Sequence, residues 1–147
     1  MRLVPLTGGE NRLRLLAIAA QDRGGDCRAM RQRELDEVSR ATACGVCAFE
    51  GITPVGYAVY HRTVQTYHLD TLAVDQSRQG AGIGSALLEG ICTDLKRTGP
   101  SILNVVIDAS AHAALRFYLD RGFVVAGYVR DEFLPGVTQA HLTREIR

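Results

Sequence analysis

The sequence predicts a mixed-sheet domain of class α/β (α+β), with helices on both faces of the sheet. Two patterns carry that expectation. The apolar residues change period along the chain in the order strand, two helices, three strands, helix, strand, helix, two strands. Between Leu72 and Leu88, an apolar strand also ends in a polar loop, and a glycine cluster opens straight into an amphipathic helix.

Length and charge narrow the class. The chain has 147 residues, enough to bury a real core, and fits one domain over residues 1–147. A net charge of +1 gives no global field for nucleic acid or an anionic membrane, so neither is expected as a partner. No apolar run approaches the roughly 20 residues of a membrane helix. The start, Met1-Arg2-Leu3-Val4-Pro5-Leu6, lacks the apolar core of a signal peptide, so a cytoplasmic location is the default.

The elements follow in order. Met1–Thr7 reads as a strand. Thr7-Gly8-Gly9-Glu10 fits a capping box for a helix running to about Gln21, with Leu13, Leu16 and Ile18 available to the core. Arg23-Gly24-Gly25-Asp26 breaks that helix. A second helix, Cys27–Arg40, sets Glu34, Asp36 and Glu37 beside Arg31, Arg33 and Arg40, which reads as a solvated face. Cys44–Glu50 and Val55–His61 are strands joined by Gly51-Ile52-Thr53-Pro54, a hairpin connection.

Thr66–Val74 is the next strand, and the glycine loop feeds a helix over Gly82–Arg97 with Ile83, Leu87, Leu88, Ile91 and Leu95 on one stripe. Gly99-Pro100 stops it. The apolar run Ile102–Ile107 suits a strand covered on both faces. Ser110 can cap a helix over Ala111–Arg121, closed by Gly122, and Phe123–Arg130 and Val137–Arg144 are the last strands.

The four cysteines are Cys27, Cys44, Cys47 and Cys92. Cys44-Gly45-Val46-Cys47 is a C-x-x-C, but no second pair or nearby histidine completes a zinc set, and strand alternation sends its two thiols to opposite faces. The cysteines read as small apolar packing residues, and no metal is expected.

The glycine loop is the chemical signal. Gly80, Gly82 and Gly84 leave backbone amides uncovered, and the helix N-terminus adds partial positive charge at the same place, which makes a site for a phosphate or diphosphate. A P-loop would need a lysine after the glycines, and none is there. A dinucleotide fingerprint fits poorly, because its last glycine falls on Ser85 or Leu87; Asp108 at the end of the following strand keeps that reading open. A helix start that binds nothing is the plain alternative.

Gln79-Gly80-Ala81-Gly82-Ile83-Gly84 matches the Q/R-x-x-G-x-G/A loop of the GNAT superfamily, the acetyl-CoA-dependent N-acetyltransferases. Downstream, Ala114-Leu115-Arg116-Phe117-Tyr118-Leu119-Asp120-Arg121-Gly122-Phe123 resembles the family's A-x-x-F-Y-x-x-x-G-F helix and turn, and the similarity spans about Val55 to Tyr128. The resemblance implies one N-acetyltransferase domain with a mixed, mostly antiparallel central sheet. It implies that amides of Gln79, Gly80, Ala81, Gly82, Gly84 and Ser85 hold the diphosphate of acetyl-CoA. Main-chain groups of Leu72, Ala73 and Val74 then pair with the pantetheine arm where the fourth and fifth strands splay apart. Ser110, Ala114 and Phe117 join the cofactor contacts, and Tyr118 matches the tyrosine that meets the sulfur and protonates the departing thiolate. Ala111 stands where many relatives have asparagine, with Ser110 and His112 flanking it.

The implied reaction is direct attack of a neutral amine on the thioester, which needs a base. His68 lies where some relatives carry a glutamate base, and Asp70 shares its face on a regular strand; a bulge would change that parity. His68 is preferred on its ordinary pKa, while His61 and His141 read as surface residues. The acceptor is a small-molecule or peptide amine, met by the first two helices, the Tyr57–Tyr67 region and Asp131–Gly136. Glu34, Asp36, Glu37, Asp131 and Glu132 are available to attract a cationic amine. A homodimer is compatible with the resemblance, and an acyl-CoA-binding sensor without catalysis is the alternative.

Overall fold

The computed structural model describes residues 1–7, 9, 11–21 and 28–147. Seven strands form one sheet in the order β1-β2-β3-β4-β5-β7-β6. The strands are β1 (Arg2–Pro5), β2 (Cys44–Glu50), β3 (Thr53–Arg62), β4 (Tyr67–Val74), β5 (Ser101–Asp108), β6 (Val124–Arg130) and β7 (Thr138–Ile146). The helices are α1 (Arg12–Ala20), α2 (Arg28–Ser39), α3 (Ile83–Lys96) and α4 (His112–Leu119). Every strand pair is antiparallel except β4–β5, which the α3 crossover makes parallel. The mixed, mostly antiparallel sheet is as expected. Among the described residues no helix is long and apolar enough to cross a membrane.

Helix α3 lays Ile83, Leu87, Leu88, Ile91, Cys92 and Leu95 against one face of the sheet. Each fully buried leucine or isoleucine there contributes roughly 1.5–3 kcal/mol. Helix α4 joins the same face through Tyr118, which packs with Leu88, Leu103 and Phe123. Helices α1 and α2 cover the other face, where Leu15, Leu16, Leu35 and Val38 meet Cys47, Tyr57 and Val59. Leu13 is a correction: it is 77% exposed, because Leu15, Leu16 and Ile18 define the inward face of α1. Strand β5 is another. Leu103 and Val105 are buried under α3 and α4, but Ile102 and Asp108 on the opposite side are exposed, since α1 and α2 pack on β2, β3 and β4.

Local chemistry explains the joints. The β2–β3 hairpin turns at Gly51, with φ +60, between paired Glu50 and Thr53. Gly122, with φ +88, closes α4: its N–H reaches the Leu119 carbonyl at 3.3 Å and the Phe123 N–H reaches that of Tyr118 at 3.1 Å. That is a Schellman end, which favours glycine. The expected caps differ. Glu10 and the breaker Arg23-Gly24-Gly25-Asp26 lie outside the described residues, and so does Cys27. The residue before α1 is Asn11 in the left-handed region, without a side-chain cap bond. Ser110 does not cap α4, because its N–H and hydroxyl both donate to Asp108 Oδ1 at 2.8 Å.

Candidate active site

The site begins with one extra residue in β4. Tyr60 pairs with Leu69 and Val59 pairs with Thr71, so Asp70 is a bulge. Leu69 points to the α3 face, and Thr71 points to α2. Bulges sharpen the local twist. Here the β4–β5 ladder stops at the Leu69–Val105 pair, while β5 continues along β7 to Asp108. From Asp70 to Val74, β4 therefore has an edge unpaired by β5. The splay expected from the resemblance is present, and two cavities meet in it.

The first cavity, about 450 Å³, opens on the α3 and α4 side. Leu72 and Val74 form its strand wall, and Gln79, Gly80 and Gly82 form its loop wall. Gly84, Ser85, Ala114, Phe117 and Tyr118 of the expected set also line it, joined by Arg78 and Arg121, whereas Ala81 lines neither cavity. Ala73 faces the second cavity instead. Ser110 lines neither cavity, being held by Asp108.

The loop shows why glycine recurs. After a single 3-10 turn at Gln76–Arg78, Gly80 and Gly82 both have φ +84, a conformation costly to any residue with a Cβ. Gly84 differs: a Cβ there would touch the Phe117 ring at 3.4 Å. Gln79 and Ala81 spend their amides on turn bonds of 3.3 Å to Gln76 and Arg78. The first helical bond is Ala86 N–H to the Gly82 carbonyl, at 3.0 Å. The amides of Ile83, Gly84 and Ser85 therefore precede the helical ladder, as first-turn amides do. With Gly80 and Gly82, they are the ones left for an anion. Ile83 is an addition to the amides expected from the sequence.

Arg121 was not legible as a site residue. Its guanidinium lies 3.8 Å over the Phe117 ring, its Nε donates to Ser85 Oγ at 2.7 Å, and its Nη1 donates to the Phe117 carbonyl at 2.9 Å. It thus places a positive charge beside the exposed amides. Spacing held the signal, because Arg121 follows Phe117 by four residues.

The second cavity, about 150 Å³, lies on the α1 and α2 side. Ala19, Arg31, Asp70, Thr71 and Ala73 line it, and it shares Leu72, Ala114 and Tyr118 with the first. Tyr118, 6% exposed, stands at the junction and is fixed edge-on by Phe117 and Phe123 at ring separations of 5.1 and 5.2 Å.

Beside the second cavity, the bulged Asp70 carboxylate meets His61 Nδ1 at 2.7 Å. The rings of His61 and His68 are 5.5 Å apart. Burial holds His68 below the ordinary histidine pKa, against the pull of Asp70. His141 meets Glu132 at 2.6 Å. His61 and His141, expected at the surface, are each about two-thirds buried and paired with a carboxylate. Sequence spacing gives no sign of this, because the partners meet only when β3 pairs with β4 and when the β6–β7 connection folds back on β7.

Helix α2 also departs from the solvated reading. Glu34 is 8% exposed and hydrogen-bonded by Arg31 and Thr71, and burial raises its pKa. Cys47 is buried, its thiol pushed up to about 11 by desolvation, while Cys44 is exposed on the opposite face.

The acetyltransferase (GNAT) domain model matches residues 26–133. No curated protein matches the sequence. Among solved structures, one assigned to the GNAT acetyltransferases from Desulfovibrio desulfuricans is 22% identical, covers 99% of each chain and has a TM-score of 0.90. The ribosomal-protein-S18-alanine N-acetyltransferase of Escherichia coli is 19% identical over 99% of this chain and 94% of its own, with a TM-score of 0.77. A GNAT acetyltransferase from Elizabethkingia anophelis with acetyl-CoA bound is 20% identical over 98% of this chain and 97% of its own, with a TM-score of 0.76.

Proposed function

The chain belongs to the GNAT acetyltransferase family, and from that footing we propose that it transfers the acetyl group of acetyl-CoA to a primary amine by direct attack. One observation carries the reading. The β4 edge from Asp70 to Val74 is left open beside a loop of exposed amides, and cavities from both faces of the sheet meet there.

The residues present fit acetyl-CoA. The amides of Gly80, Gly82, Ile83, Gly84 and Ser85, with Arg121 beside them, suit a diphosphate. The bare edge at Leu72, Ala73 and Val74 suits an extended amide-bearing arm that adds as a strand. Acetyl-CoA held this way supplies a thioester carbonyl at the junction. A β4 amide in the Leu72–Val74 stretch is the donor to its developing negative charge.

The amine enters from the α1 and α2 side. Of the two proposed bases, Asp70 borders that cavity and His68 does not. The assignment therefore shifts toward Asp70, whose carboxylate receives the ammonium and is linked to His61 for passage of the proton. His68, its pKa lowered by burial, is the second acceptor for that proton. Tyr118 is the proposed acid for the departing thiolate, on its place between the cavities.

Release of free thiol from acetyl-CoA across a panel of primary amines tests the reading. Turnover with at least one amine is expected. Acetyl-CoA binding with no thiol release across the panel would replace the enzyme with an acyl-CoA-binding sensor.

A further inference from the structure

Arg31 is the one cationic side chain among the described residues that lines the acceptor cavity, and its hydrogen bonds are lopsided. Nη1 alone donates to Glu34, at 3.0 and 3.2 Å to its two oxygens, to the Asp70 carbonyl at 3.0 Å and to Thr71 Oγ1 at 2.5 Å. Nε and Nη2 have no partner among the described residues. Those two N–H groups point along one edge of the guanidinium and form the fork that takes a carboxylate bidentately. The side chain is only 23% exposed, so this fork is partly desolvated and rigidly held. Close by, the fully buried Tyr57 hydroxyl also lacks a partner among the described residues.

The placement limits the distance between amine and anion. Arg31 is anchored to Asp70 and Thr71, one and two residues before Leu72 on β4. At about 3.3 Å per residue, its fork lies within several ångströms of the edge where the amine must attack. The cavity is about 150 Å³, below the ~300 Å³ at which pockets for drug-sized ligands begin. Charge and size thus agree on a small acceptor. Glu34 does not cancel the site, because its two oxygens are held by Nη1 and Thr71 on the side away from the fork.

Resting on the acetyltransferase reading above, we infer that the acceptor is an amino acid: a small amine with a carboxylate a few bonds from its nitrogen, clamped by Arg31. The carboxylate takes the Nε and Nη2 protons. The amine then lies toward Asp70 and the thioester, and transfer gives an N-acetylamino acid, free thiol and one proton. Arg31 is a specificity-determining residue here and takes no part in proton transfer.

The test compares acids with their carboxamides. A panel of α-, β- and γ-amino acids and the matching amides is assayed for thiol release from acetyl-CoA. Binding of the N-acetylated acids and amides to the protein with CoA is measured by calorimetry, which needs no turnover. A charge-assisted pair of hydrogen bonds predicts that at least one acid has a KM, and its product a Kd, about 10- to 100-fold lower than the amide. Arg31→Gln should bring the KM of the acid and the Kd of its product up to those of the amide, and Arg31→Lys should restore part of the difference. Because Arg31→Gln leaves the Glu34 carboxylate buried and unpaired, Arg31→Gln/Glu34→Gln is made alongside to keep the fold. Equal use and equal binding of acids and amides across the panel overturns the proposal, as does loss of acid and amide together in the double variant. Acid-selective binding without thiol release leaves the clamp standing and removes the enzyme reading instead.

Discussion

His61 Nδ1 and the Asp70 carboxylate lie 2.7 Å apart at the bulge that ends the β4–β5 ladder. One irregularity of β4 thus leaves its edge open beyond Leu69 and sets a titratable pair beside it. If the pair moves the proton, Asp70→Asn and His61→Ala each lower kcat/KM by about a hundredfold and displace the acidic limb of its pH profile. If His68 is the base, the limb lies below the ordinary histidine value and disappears in His68→Ala. An unchanged limb in all three variants removes every one of these assignments.

His68 makes stability depend on pH in a defined direction. Burial lowers its folded pKa from the ordinary 6.5, so the unfolded chain takes up this proton first as pH falls. Stability from His68 is full above about pH 6.5 and declines on acidification below it. Urea denaturation at pH 5 to 8, roughly the histidine range, should show a steeper acid loss in the wild type than in His68→Gln. Parallel curves would contradict the lowering of the His68 pKa by burial.

Gly82→Ala and Gly99→Ala separate strain from binding. Both glycines have positive φ, +84 and +102, and open space where a Cβ would lie. Each substitution should cost about 1–2 kcal/mol in denaturant unfolding. Only Gly82→Ala should also weaken acetyl-CoA binding in calorimetry, because of the two glycines only Gly82 borders the larger cavity, proposed to take the cofactor. Equal affinity in the two variants would argue against the loop as the diphosphate site.

Tyr118→Phe keeps the ring between Phe117 and Phe123 and removes the hydroxyl. Turnover should fall about a hundredfold or more, with acetyl-CoA affinity nearly unchanged. Undiminished turnover would reject the acid role.

Leu88→Ala tests the core under the site. Leu88 is fully buried and packs with Leu103, Tyr118 and Phe123. A loss of about 2–5 kcal/mol is expected in urea denaturation. A loss under about 1 kcal/mol would mean that α3 is packed far less tightly than its contacts indicate.

The sequence by itself determined the elements and the glycine loop. Period and breakers are local properties, so β2 is found over Cys44–Glu50 as expected, and α3 buries the stripe from Ile83 to Leu95. Positive φ at Gly80, Gly82 and Gly122 follows from glycine's own freedom at turns. Tertiary structure decided the acceptor side. Whether Asp70 joins His61 rests on a bulge set by pairing with β3, and whether Glu34 is solvated or buried rests on how α2 meets Thr71. Arg31 gains a fixed fork because its other nitrogen is bound by Glu34 on its own helix and by Asp70 and Thr71 far along the chain. Contacts between distant segments have no period to read, and only the folded sheet brings them within hydrogen-bond range.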